Sequence, residues 1–184
     1  RNSASSRAIP VEKQIAKVLA DPFIPVKWGK NQNGMQAYVE LTGAARERAI
    51  AAWLRARDNA VVSVREMIDP EIDVHKQIAN RLLEPFMWHT AIVTATERLN
   101  LYGLRTDEAA EPHFQIIAGM MKKCEAESTP KLKQPGEWHL PLVESIDYEE
   151  LMRSYDDIEI ARICAARCAR VSYLTHDGVR DPAE

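Results

Sequence analysis

Residues Gly43–Met67, GAARERAIAAWLRARDNAVVSVREM, decide the fold class. Ala and Arg dominate this stretch, and such side chains lose little rotamer freedom on entering a helix. Ile50, Trp53, Leu54, Ala60, Val61 and Val64 recur at spacings of three, four and seven, which gathers them onto one stripe of a 3.6-residue period. The spacing predicts a helix over the whole stretch, long enough to serve an interface as well as a core. Upstream, Val11, Ile15, Val18 and Leu19 share the same periodicity and predict a short helix. The Pro-, Gly- and Asn-rich stretch 21–36 between the two reads as loop, as does the small, polar stretch 1–10.

Downstream, three further helices are expected in succession. Asp69, Pro70 and Glu71 combine a capping carboxylate, a proline at the first helical position and an acid beside the positive helix end. That helix is expected to run to about Leu83 and stop before Pro85. The next would span about Phe86 to Tyr102, burying Trp88, Ile92, Ala95 and Leu99, with Gly103 as its terminator. The third begins near Ala109, takes Pro112 in its first turn, and places Phe114, Ile117, Met120 and Met121 in the core. Residues 128–145 read as loop with one short strand at Trp138–Val143, and Tyr155–Tyr173 mixes helix formers with a β-prone end. The expectation is an α+β, helix-rich single domain of three parts, 1–42, 43–127 and 128–184. Its sheet would draw largely on segments outside this sequence. Arg1 sits inside a polar string and the last residues, GVRDPAE, stop on a turn signal, so sequence is expected to be missing at both termini.

The 184 residues are 46% hydrophobic and 28% charged, enough to bury one sizeable core. With 24 basic and 27 acidic residues the formal net charge is −3, which provides no global field for duplex nucleic acid. A small anion held by a few arginines remains compatible. No apolar run approaches the roughly 18 residues of a membrane span, and the start lacks the pattern of a signal peptide. A cytoplasmic protein is expected. Cys124, Cys164 and Cys168 are odd in number, and the last two lie one helical turn apart, so neither a disulfide framework nor a zinc site is suggested. His75, His89, His113, His139 and His176 show no HxxxH or HExxH spacing, and no metal is expected.

Two stretches carry candidate chemistry. RNSASSRA sets Arg1 and Arg7 around small hydroxyl residues. Guanidinium forks and close-approaching backbone N–H groups can converge there on a phosphate, although composition alone favours a disordered tail. WGKNQNGMQ places Trp28 beside Lys30, Asn31 and Gln36. It reads either as a surface that stacks a ring and hydrogen-bonds its edge, or as a Gly-turn loop with a half-buried Trp.

A set of dispersed blocks resembles the flavin-dependent thymidylate synthase family. The family signature, RHRxxSxNExSxRY, is entered near its middle, with Asn2, Ser5 and Arg7 at its Asn, Ser and last Arg. IANRLLEP supplies Arg81 where the family has an Arg ahead of a proline, and Asn100 with Leu104 and Arg105 resembles a later Asn followed by a Leu-Arg pair. CAARCARVSYLTHDG is similar to the AARVSY segment that common members carry ahead of the signature. Its position after the helices implies a circularly permuted, phage-type arrangement.

The resemblance implies a helix-rich thymidylate synthase-complementing-protein-like fold and reductive methylation of dUMP to dTMP. FAD would be the cofactor, with NADPH and methylenetetrahydrofolate as co-substrates. It implies dUMP binding by Ser5, Arg7, Arg81 and Arg105, with Arg105 also catalytic, and flavin contacts from Asn2 and Asn100. It further implies a homotetramer whose sites draw on several subunits. Ser3 and Ala8 replace the signature Glu and Tyr, Thr96 stands where an Arg is usual, and AEPHF replaces the usual AQxEI. These departures leave two further expectations: a relative that hydroxymethylates a pyrimidine nucleotide, and a flavin-free nucleotide-binding or structural homologue.

Overall fold

The expected long helix forms over its full length, and α2 spans Gly43–Met67. A computed structural model describes residues 2–3, 5–143 and 145–169. The described residues fall into two compact units, one of residues 10–88 and 95–129, the other drawn from 1–9, 89–94 and 130–169.

In the first of these, α1 (Val11–Ala20) turns Ile15 and Val18 inward against Val61 and Val64 of α2. Ala79, Leu83 and Phe86 close the same core. They come from a four-residue helix, α3 (Lys76–Ala79), and the 3-10 turns Asn80–Phe86 that continue it. Trp53 seals the edge, its ring 5.2 Å from that of Phe86 and its indole N–H donating to the Phe23 carbonyl at 2.8 Å.

The expected helix start at Asp69 is corrected. Asp69 instead closes a turn after α2: its carboxylate accepts from the Glu71 N–H at 3.0 Å, its carbonyl from Asp73 at 2.8 Å, and Val74 returns to the Met67 carbonyl. An Asp-Pro pair opens turns for the same reason that it opens helices, since the short carboxylate reaches an N–H two residues on. The helix begins later, where His75 Nδ1 accepts from Gln77 N–H at 3.3 Å. Nor does the helical path stop before Pro85, which lies inside the 3-10 segment.

The helix expected over Phe86–Tyr102 is also corrected. Residues Ala91–Ile92 are a strand, β2, and α4 covers only Leu99–Arg105, with Gly103 inside it. Thr90, Ile92, Val93, Thr94 and Thr96 crowd β-branched side chains into the stretch, and these lose χ1 freedom in a helix. α4 starts where the Glu97 carboxylate accepts from Leu99 N–H at 2.6 Å. It ends at Thr106, whose hydroxyl and N–H both donate to the Tyr102 carbonyl. The next helix, α5 (Pro112–Glu127), is tied to α4 by the Tyr102 hydroxyl, which donates to Glu125, and by Arg98, 3.2 Å from the same carboxylate. Only Ala118 of α5 is fully buried, and the expected core residues Phe114, Ile117 and Met120 are exposed. Periodicity identifies which side chains share a face, not whether that face is covered.

In the other unit, β1 (Asn2–Ser3) pairs antiparallel with β2, Asn2 opposite Ile92 and Ser3 opposite Ala91. The stretch expected to be loop thus contains a strand and a 3-10 turn at Ser6–Ala8. α6 (Ser145–Leu151), not expected from the sequence, and α7 (Asp157–Ala169) supply the buried Leu151, Ile160 and Cys164. No strand forms at 138–143: Leu142 takes φ 65°, outside any strand geometry, and its carbonyl accepts from the buried Arg167 at 3.0 Å. The ARVSY segment, apart from Ala169, lies outside the described residues, as does Arg1. Among the described residues, no helix is long and apolar enough to cross a membrane.

Candidate functional site

Arg81 is displayed by the core beneath it. In ANRLLEPF, Ala79, Asn80, Leu83 and Phe86 are buried, which leaves Arg81 facing out on the 3-10 turn. Its Nε donates to the Gln77 carbonyl at 3.2 Å, fixing the root of the guanidinium. Arg105 is the last residue of α4, where the negative helix end favours a cation. Its guanidinium lies 5.8 Å from the centre of the Phe114 ring. Asn100 sits exposed on the same helix. Among the described residues, neither Arg81 nor Arg105 has a carboxylate within ion-pair distance.

The remaining expected site residues belong to the other unit. Ser5 precedes the 3-10 turn and accepts Ala8 N–H at its carbonyl, with no capping bond from its side chain. Arg7 is exposed within that turn, and the backbone of Asn2 lies in β1. Arg81, Asn100 and Arg105 therefore share one unit, and Asn2, Ser5 and Arg7 share the other.

Trp28 sits as the Gly-turn loop reading expects. It is half-buried, edge-on to Trp53 with ring centres 6.1 Å apart. The loop around it folds back as a ribbon: Lys30 donates to the Val39 carbonyl, Leu41 to that of Trp28, and Gly29 bridges Glu40. A Cβ at Gly29 would meet the Ala37 Cβ at 2.2 Å, so the close crossing requires glycine there. Gln36 reaches the Ala109 carbonyl at 2.9 Å.

The AEPHF block acquires a local explanation. Glu111 caps α5, one carboxylate oxygen accepting the His113 and Phe114 N–H groups at 3.0 Å each and the other meeting His113 Nδ1 at 2.5 Å. The Val26 N–H donates to His113 Nε2 at 3.1 Å, so that nitrogen carries no proton and Nδ1–H faces the carboxylate. Partial desolvation pushes the Glu111 carboxyl upward, but the two amides and the imidazole outweigh it and hold it below the ordinary carboxylate range. The sequence signal for this cap, an acid directly before proline at a helix start, was present in Glu111-Pro112.

Between α4 and α5, the hydrogen bond from Tyr102 to Glu125 raises the phenol and lowers the carboxyl from their ordinary values. In the other unit, Lys131, Lys133, Trp138, His139 and Tyr148 line an open basin of about 640 Å³ that holds none of the expected site residues. Cys164 is pushed up to about 11, chiefly by burial, with its thiol 2.9 Å from the Pro141 carbonyl. No protein-family model, curated protein or solved structure matches this chain.

Proposed function

We propose that the chain is part of a flavin-dependent thymidylate synthase-like enzyme that binds dUMP and converts it to dTMP. The observation that carries the reading is the display of Arg81 and Arg105, two exposed guanidinium groups without ion-pair partners among the described residues. Each stands on a short helical element anchored by buried neighbours: Leu83 and Phe86 for one, Tyr102 for the other. A guanidinium already paired with a carboxylate would have to give up that partner to take a phosphate or an anionic pyrimidine. These two do not.

In this reading Arg81 binds the phosphate, where paired N–H donors match its oxygens. Arg105 meets the pyrimidine and stabilises the negative charge that spreads over the ring as C5 becomes nucleophilic. Ser5 and Arg7 enter through the family resemblance alone. Asn100 fits a flavin contact, because its exposed amide, on the same helix as Arg105, offers a donor and an acceptor to a ring edge. When bound, reduced FAD supplies the hydride, and methylenetetrahydrofolate the carbon. NADPH as electron donor, a homotetrameric assembly and a cytoplasmic location belong to the same proposal. The exposed Ile117 and Met120 are the kind of surface an assembly covers.

Incubation of full-length protein with dUMP, methylenetetrahydrofolate, NADPH and FAD, with mass analysis of the nucleotide, tests the proposal. A product heavier than dUMP by one CH2 supports it. A product heavier by CH2O would replace it with hydroxymethylation, and a colourless protein that neither takes up FAD nor changes dUMP would overturn it. Arg105→Ala should abolish turnover with the fold intact.

A further inference from the structure

Phe114 is 60% exposed in the first turn of α5, a poor place for a large apolar ring unless the ring is used. Its position is nevertheless well fixed. The Phe114 N–H is held by Glu111, and α5 is fastened to α4 through Tyr102, Arg98 and Glu125. Across that junction lies Arg105, its guanidinium carbon 5.8 Å from the ring centre, within the reach of a cation–π contact. The backbone of Arg105 is stopped by the Thr106 cap.

The choice of an aromatic partner has a chemical consequence. A carboxylate at this place would orient Arg105 but neutralise it and occupy its N–H donors. A ring face attracts the cation, leaves its charge in place, and keeps the donors on the guanidinium edge available for an anionic ligand.

We infer that Phe114 is a positioning residue that holds the Arg105 guanidinium in a fixed, unneutralised orientation for the pyrimidine ring; this rests on the proposed reading of Arg105. The test uses full-length, FAD-loaded protein with Phe114→Leu, Phe114→Tyr and Arg105→Ala. Phe114→Leu should lower kcat about 2- to 5-fold with KM for dUMP unchanged, and Phe114→Tyr should match wild type. The NMR resonance of the Arg105 Nε–H, assigned through its loss in Arg105→Ala, should move in Phe114→Leu and hold in Phe114→Tyr. Wild-type turnover in Phe114→Leu beside a dead Arg105→Ala would overturn the inference and leave the functional reading standing. Full turnover in Arg105→Ala would instead overturn the functional reading. An Arg105 resonance unmoved by Phe114→Leu would refute the contact whatever the turnover.

Discussion

Replacing Glu111 with alanine removes three interactions at once. The amides of His113 and Phe114 lose the oxygen they share, and the His113 Nδ1–H loses its carboxylate. Loss of an N-cap side chain costs about 1 kcal/mol, within a range of about 0.5–2, a figure that already contains the charge–dipole part. The imidazole contact is about half-exposed on the Glu111 side and about one quarter on the His113 side. Solvent screening limits it to about 0.5 kcal/mol. The expected loss is therefore about 1.5 kcal/mol, which for a chain of this size lowers Tm by about 3–6 °C. Glu111→Gln keeps an acceptor but no charge and should fall between the two.

Acid gives a second, independent check. The Glu111 carboxyl is held below its ordinary value in the folded protein. Its contribution is thus complete above the unfolded pKa of about 4.3 and disappears as pH falls through the lower, folded value. Urea denaturation monitored by far-UV circular dichroism should show the full difference between wild type and Glu111→Ala at pH 7. Towards pH 3 the difference should shrink. A difference under about 0.3 kcal/mol at pH 7, or one that persists undiminished in acid, would refute the capping argument. A double-mutant cycle with His113→Ala isolates the imidazole share, with a coupling of about 0.5 kcal/mol expected.

Other parts of the molecule carry three further expected outcomes. Leu83 is fully buried beneath the 3-10 turn, so Leu83→Ala should cost about 2–5 kcal/mol in the same denaturation assay. Arg81→Ala should leave stability within about 0.5 kcal/mol, since the side chain is exposed, while lowering dUMP affinity by about 10-fold or more in calorimetric titration. Brief iodoacetamide treatment of native protein at pH 8 should label the exposed Cys124 well before Cys164, whose thiol is buried and pushed up to about 11; peptide mass mapping reads the order.

How much of the fold was legible in the sequence depended on whether the deciding forces were local. α1 and α2 were legible because their apolar residues repeat at helical spacing and nothing in the intervening residues opposes it. Trp88, Ile92, Ala95 and Leu99 have the same spacing, yet the β-branched residues among them and a pairing partner at the far N-terminal end of the chain, Asn2–Ser3, favour a strand. That pairing is a long-range event, invisible to any local window. Asp69-Pro70 and Glu111-Pro112 are chemically alike, but one closes a turn and the other caps a helix. The residues on their C-terminal side make the difference: HFQIIAGMM continues helical, while Asp73 takes a left-handed φ of 53° and breaks the run. The candidate site is legible where a motif and a burial pattern coincide. Arg81 stands out between Asn80 and Leu83 because both of these point inward. Spacing alone puts the Phe114 face beneath Arg105 in the core, because it cannot tell a buried stripe from a displayed one.

The stretch that decides the fold also positions the candidate site. Val61 and Val64 of α2 meet Ala79, Leu83 and Phe86 in one cluster, and Arg81 lies between two of these inward residues. The guanidinium therefore stands one side chain above the core, on a turn whose inner face has no room to shift. A short 3-10 element suits this purpose: its tight repeat brings Asn80, Leu83 and Phe86 inward at intervals of three, and Arg81 cannot rotate into the interior without expelling one of them. Arg105 is held by a different device, a capped helix end and an aromatic face rather than a buried ladder. Under the proposed reading, the two arginines should respond differently to damage. Weakening the core at Leu83 would loosen the phosphate anchor and raise the dUMP Kd, whereas removing the Phe114 ring would leave binding in place and slow the chemical step.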